Sequence, residues 1–262
     1  MKVMTKLMFS ALCAAAVMAS ASAQDKSVML SNGIKYVDVP YVAHTLEVDG
    51  PEELIINCDE VDCTTLVEYI LAESLTPKQA NGDISESAFA DNLQKIRYRD
   101  GKIDGYTSRL HYIADWINNG VRNGFLKDMS ASYCSDTEKL SISYMSSHPE
   151  QYKQLTNSKE NVAKMKEIEK SLSGQTVHYL PKADLPVKGM PWIKDGDIIA
   201  IATNTPGLDV AHLGIAFYVN GKLTLLHASS TQKKVVVSKV ALSQMLQDNS
   251  KWTGIRVLRM KK

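Results

Sequence analysis

The chain is 262 residues long, with 30 basic and 29 acidic side chains and a formal net charge of +1. That length supports a sizeable core in one large domain or two small ones. The near-zero charge carries no basic footprint for nucleic acid, so a DNA- or RNA-binding role is excluded as the expectation.

The first residues read as an export leader. Lys2 and Lys6 form a short basic region, Leu7 to Val17 is almost wholly apolar, and Ala21-Ser22-Ala23 is a small-residue cleavage site before Gln24. The apolar run is too short to span a bilayer. The expectation is a signal peptide over 1–23, one mature domain over 24–262, and a periplasmic or secreted product. Loss of the two lysines takes the net charge to −1. No membrane insertion is expected after cleavage, and the oligomeric state is not legible. Three cysteines remain: Cys58, Cys63 and Cys134. An odd count in an exported chain leaves at least one free thiol. A Cys58–Cys134 disulfide stays open.

In chain order, Gln24 to Lys35 reads as a polar lead-in, Val37 to Leu46 as extended and Leu54-Ile55-Ile56 as a short strand. Cys63 to Leu75 reads as a helix. Leu66, Val67, Ile70 and Leu71 share one face, Asp62 stands at the N-cap, and Thr76-Pro77 ends the run. Further helices are expected over Ser85 to Arg97, Ser108 to Ile117 and Glu160 to Leu172, the last closed by Gly174. The C-terminal third turns to β-type runs: Asp197 to Thr203, Leu213 to Val219, Leu223 to His227, Val235 to Val237 and Gly254 to Leu258. Helices first and an antiparallel sheet later predict an α+β fold.

Asn220-Gly221 between two of these runs is a strong two-residue hairpin signal. With those residues as the turn, Val219 faces Lys222. Counting outward places Gly214 opposite His227 and His212 opposite Ser229. The two histidines then share one sheet face as diagonal neighbours, about 7–8 Å apart between backbones. Glycine at 214 is expected to leave room for the second imidazole. Cys63 at a helix N-terminus is the complementary half. Unpaired N–H groups and the helix dipole favour a thiolate there, with a pKa that can fall to roughly 3.5–7.5. If the helix packs on the histidine face, the sulfur meets His212. Cys63, His212 and His227 then form the set that thiolate acyl transfer needs, with the Cys63 N–H aimed at the oxyanion. Cysteine and histidine are also zinc ligands, but no fourth ligand stands at metal-like spacing. No metal and no organic cofactor are expected.

These stretches carry a family resemblance. Asp62-Cys63-Thr64, Gly196-Asp197 before a strand, His212-Leu213-Gly214-Ile215 and Leu226-His227-Ala228-Ser229 resemble the NlpC-type cell-wall peptidases, papain-like cysteine hydrolases of peptidoglycan. Tyr106 to Tyr112 with Asp115-Trp116, Pro40-Tyr41, Thr45-Leu46-Glu47 and Gly207-Leu208-Asp209 resemble one branch, the N-acetylmuramoyl-L-alanine amidase-like family. The resemblance implies a papain-like fold and the triad Cys63, His212 and His227. It also implies hydrolysis of the N-acetylmuramoyl-L-alanine amide in peptidoglycan fragments. The chain between Cys63 and His212 is far longer than in compact members, so a helical elaboration is expected around 76–176. Arg109 is a candidate clamp for a substrate carboxylate, or else an ordinary ion pair. Tyr41 and Tyr112, with Trp116, are candidates for lining a substrate subsite or for the core. The same triad would serve an endopeptidase cutting γ-D-glutamyl to diamino acid. A binding module that keeps the fold without catalysis is the reading from a different class.

Overall fold

The computed structural model describes residues 27–80 and 82–261, so the expected leader lies outside the described residues. The helical half runs α1 (Val28–Ile34), α2 (Cys63–Leu75), α3 (Glu86–Arg97) and α4 (Ile113–Arg122). Short pieces around one long helix, α8, follow: β1 (Leu126–Asp128), α5 (Ser130–Tyr133), β2 (Thr137–Lys139), α6 (Tyr144–Ser147), α7 (Lys153–Thr156), α8 (Lys159–Leu172), β3 (Thr176–His178) and β4 (Leu180–Pro181). The sheet half is β5 (Ile198–Thr203), β6 (Val210–Val219), β7 (Lys222–Ser229), β8 (Lys234–Val237), α9 (Leu242–Gln247) and β9 (Trp252–Met260). The main sheet is antiparallel in the order β1-β9-β5-β6-β7-β8, with β4 also on β9. The architecture is therefore α+β with an antiparallel sheet, as the order of runs predicts.

Helix α2 forms where its sequence dictates. The Asp62 carboxylate accepts from the Thr64 and Thr65 N–H groups, and the Thr65 hydroxyl accepts from the Asp62 N–H, a reciprocal capping box. Leu66, Val67, Ile70 and Leu71 are fully buried, each contributing roughly 1.5–3 kcal/mol. They pack on one sheet face with Ile198, Ala200, Leu213, Ile215, Leu226 and Ala228. The other face carries Ile199, Ile201, Leu223, Leu225, Ile255 and Val257, covered by Leu242 and Leu246 of α9. β5 is buried along its whole length, which explains why it reads as an unbroken apolar run. A third cluster gathers Tyr106, Tyr112, Leu140, Ile142, Met145, Leu155, Met165 and Leu172 from the region between Cys63 and His212.

Four expectations change. The lead-in folds as α1, because Met29 and Leu30 are buried and Gly33 lets the turn press onto Ile70 and Leu226. Leu54 to Ile56 makes no strand. Side chains replace the ladder: Tyr98 donates to the Glu53 carbonyl, Arg97 to that of Ile55, and the Asn57 N–H donates to the Tyr69 hydroxyl. Val37 to Leu46 is a series of turns with single bridges at Pro40 and Tyr41, broken by left-handed Asp38 and His44. The expected helix over Ser108 to Ile117 starts only at Ile113, after a 3-10 turn over Tyr106–Ser108 and an extended Arg109.

Candidate active site

Cys63 is the first residue of α2. Asp62 occupies the next two N–H groups, so the Cys63 N–H is left facing its own sulfur. The Leu213 N–H also points at the thiol. This contact has a topological cause. The β6–β7 ladder runs from Val219↔Lys222 to Ile215↔Leu226 and ends there, while β7 stays paired with β8 as far as Ser229↔Lys234. The strands part beside Leu213 and leave its N–H free for the sulfur. The turn itself is as expected, with φ of 49° at Asn220 and 73° at Gly221, the pattern of a type I′ hairpin.

Two steric expectations need correction. Leu213 and Ile215 face α2, and His212 and His227 alternate with the residues that do. The helix therefore packs on the face opposite the histidines, and the thiol meets the backbone of Leu213, the residue after His212, where β6 and β7 separate. The space at Gly214 serves Leu225, whose side chain would lie 2.7 Å from an added Cβ, and not an imidazole.

The histidines themselves meet. His212 Nε2 and His227 Nδ1 are 2.8 Å apart, with the rings edge-on at 89°. That bond leaves His212 Nδ1 as the free ring nitrogen. Trp252, which no motif in the sequence singles out, stacks on the far side of His212 at 8° and 6.0 Å between centroids.

The electrostatics reverse one expectation. Burial, helped by the Asp62 carboxylate, pushes the Cys63 thiol up to about 11. The helix terminus does not favour a thiolate here, because burial and the Asp62 charge outweigh the Leu213 and Cys63 N–H groups that point at the sulfur. Burial lowers His212 to about 3, assisted by repulsion from His227, and lowers His227 to about 4. Burial thus favours the neutral forms of the thiol and of both imidazoles.

The remaining candidates separate cleanly. Tyr41 bridges Val61, two residues before Cys63, and its phenol is raised by burial and by the nearby Cys63 and Asp62 charges. It stays beside the thiol. Arg109 is not a free clamp. It is buried, bidentate on Glu52 (2.9 Å and 2.9 Å) and bonded to Glu47 at 3.0 Å. Tyr112 is not a subsite wall. It is 2% exposed, donates to Glu169 at 2.7 Å and accepts from the Met145 N–H. Trp116 is fully buried. Cys58, Cys63 and Cys134 are all free thiols, which removes the Cys58–Cys134 disulfide. Among the described residues no group of three or more His, Cys, Asp or Glu is placed to hold a metal.

Comparison with known proteins bears on this site. A family model described as N-acetylmuramoyl-L-alanine amidase-like matches residues 31–255. The chain is similar to a crystal structure named an N-acetylmuramoyl-L-alanine amidase from Bacteroides uniformis, with 83% identity and a TM-score of 0.89 over 89% of this chain and 99% of that one. A Bacteroides fragilis structure, provisionally named a xylanase, is 67% identical with a TM-score of 0.86, covering 88% of this chain and all of its own. A Legionella pneumophila protein of 22% identity shares the fold, with a TM-score of 0.68 over 89% of this chain and 88% of its own. No curated protein matches. The family match covers most of the chain and contains Cys63, His212 and His227: the protein belongs to the N-acetylmuramoyl-L-alanine amidase-like family.

Proposed function

We propose that the protein is an exported cysteine amidase that hydrolyses the N-acetylmuramoyl-L-alanine bond of peptidoglycan fragments. The observation that carries the reading is the 2.8 Å His212–His227 bond beside a thiol held on the Leu213 N–H. The α+β sheet with a cysteine-bearing helix is read as a papain-like fold of NlpC type, with residues 76–176 as its elaboration.

His212 Nε2–H donates to His227 Nδ1, which fixes the tautomer and leaves Nδ1 as the base. As Sγ attacks the muramoyl carbonyl carbon, its proton passes to His212 Nδ1. The carbonyl oxygen gains negative charge and is met by the Cys63 N–H. His227 steadies the imidazolium through Nε2–H. That proton then goes to the alanine nitrogen, the C–N bond breaks, and an amine-led peptide departs. Water attacks the thioester, gives its proton to His212 and releases the muramic acid carboxylate with the thiol restored. Because the resting thiol is protonated, deprotonation and attack are coupled in one step.

At the Cys63 site a xylanase reading lacks its chemistry. Glycoside hydrolysis uses two carboxylates about 5–9.5 Å apart. Asp62, the carboxylate next to Cys63, is spent on capping α2.

The test is product mass from defined muropeptides, with Cys63→Ala alongside. An intact peptide beginning with L-alanine, absent with the variant, supports the amidase. Cleavage inside the stem peptide transfers the same triad to an endopeptidase. A folded, fully active Cys63→Ala protein overturns the mechanism. Export is checked separately: the mature chain should begin at Gln24, and a cell-retained protein with an intact leader would contradict it.

A further inference from the structure

We propose that Trp252 is a positioning residue for His212, holding the imidazole plane in which Nε2 meets His227 and Nδ1 is offered to the thiol. The inference rests on the reading of His212 as the base. A histidine ring rotates broadly about χ2. One hydrogen bond at Nε2 fixes a point on the ring but not its plane. The indole supplies the missing restraint: it lies within 8° of parallel to His212, while His227 stands at 89° to it. The imidazole thus has a near-parallel indole at 6.0 Å between centroids and the edge-on His227 ring at 4.9 Å, two neighbours that together define its plane.

The strand geometry places the indole there. β5 pairs Ala202 with Gly254 and then Thr203 with Trp252, so Thr253 is an extra residue in β9. In a regular strand Trp252 would share the face of Gly254, away from Ile255. The bulge moves it across, to the face that carries Ile201, Ile255 and the histidines. Bulges re-aim side chains in this way beside functional sites. The segment before it is tied down. The Lys251 carbonyl accepts from the Asn204 N–H at 2.9 Å and from the Thr203 hydroxyl at 3.1 Å, and the Trp252 N–H donates to the Asn249 carbonyl. The platform is thus anchored to the adjacent strand.

The titratable group that faces the ring is His227 from β7, while Cys63 and Asp62 of α2 lie by the backbone of the next residue, Leu213. Loss of the indole admits water to a ring that burial now keeps neutral.

The experiment compares wild type with Trp252→Ala and Trp252→Phe. It uses kcat and KM against pH, together with nitrogen-15 NMR of the histidine rings. Trp252→Ala should lower kcat roughly 10–100-fold, the scale of a misplaced catalytic group. KM should stay within about twofold, and the acidic limb should move up toward the ordinary histidine range. The His212 Nε2–H signal, slow to exchange in wild type, should broaden. Trp252→Phe, which keeps a flat face, should recover most of kcat and the signal. Should Trp252→Ala not fold, Trp252→Leu fills the space without a ring. A folded variant with wild-type kcat and unchanged ring signals overturns the proposal. So does a KM rise at constant kcat, which would make Trp252 a substrate wall. The ring signals need no turnover. They judge Trp252 even if active Cys63→Ala protein defeats the amidase reading.

Discussion

Arg109 sits at the centre of a buried charge set, with two bonds to Glu52 and one to Glu47, while Tyr98 also donates to Glu52. Removing it strands two carboxylates away from water. Arg109→Met should destabilise the fold by about 3–5 kcal/mol, read from denaturant midpoints, with KM unchanged at temperatures where the variant stays folded. A substrate clamp would give the reverse, a large KM increase and near-native stability. The sequence could not choose between these, because an arginine's partner lies far away in the chain. Glu47 and Glu52 precede Arg109 by more than fifty positions, and nothing local announces the pairing. The start of α2 at Cys63 and the meeting of His212 with His227 were legible for the opposite reason. A capped helix start and a two-residue hairpin are local signals, and counting from Asn220-Gly221 fixes which residues share a face. Trp252 gave no signal, since its orientation depends on a single extra residue at Thr253.

At the scale of elements, the N-terminus of α2 shows two demands in conflict. Asp62 caps the helix, and its charge opposes ionisation of Cys63. Asp62→Asn keeps an oxygen acceptor for the cap and removes the charge. It should leave the melting temperature nearly unchanged and lower the thiol pKa, measured by the pH dependence of alkylation. Asp62→Ala should also lower the thiol pKa, and should cost about 1 kcal/mol of stability through loss of the cap. An unchanged alkylation profile in both variants would refute the electrostatic role. Helix α2 was fully legible from Cys63 to Leu75, because cap, apolar stripe and proline stop all agree. Leu54 to Ile56 was not. Its apolar triplet looks like a strand, yet Arg97 takes the Ile55 carbonyl, and Tyr98 and Tyr69 take the backbone groups of flanking Glu53 and Asn57, all from outside any sheet.

At the scale of the whole molecule, buried titratable groups set a pH window for stability. His111, His212 and His227 are all held low by burial, at about 3, 3 and 4. The unfolded chain binds protons at these sites near pH 6.5, before the folded one does. Stability is therefore fully present above about pH 6.5. It falls as pH drops toward 4, at roughly 1.4 kcal/mol per pH unit for each histidine. At the alkaline side Cys63 and Cys58 are raised to about 11. Stability is present below about pH 8.5, where unfolded thiols ionise, and is lost as pH rises toward 11. Thermal melts across pH 4 to 10 should show a plateau between those edges. A melting temperature flat from pH 7 to 4 would contradict the neutral, buried state of the histidines. The order of helices and strands was legible at this scale. Apart from α8, the short pieces between Leu126 and Pro181 were not, since segments of two to four residues carry too few positions to show a period.

In the proposed mechanism Cys63 carries the muramoyl group as a thioester. This step is tested most directly by rapid acid quench of enzyme with a muropeptide, followed by intact-protein and peptide mass spectrometry. The expected adduct is the amino sugar acid alone, without any amino acid, on the peptide containing Cys63. An adduct retaining the first two residues of the stem would assign the endopeptidase bond. Turnover with no adduct on Cys63, or an adduct on another residue, would contradict the proposed nucleophile.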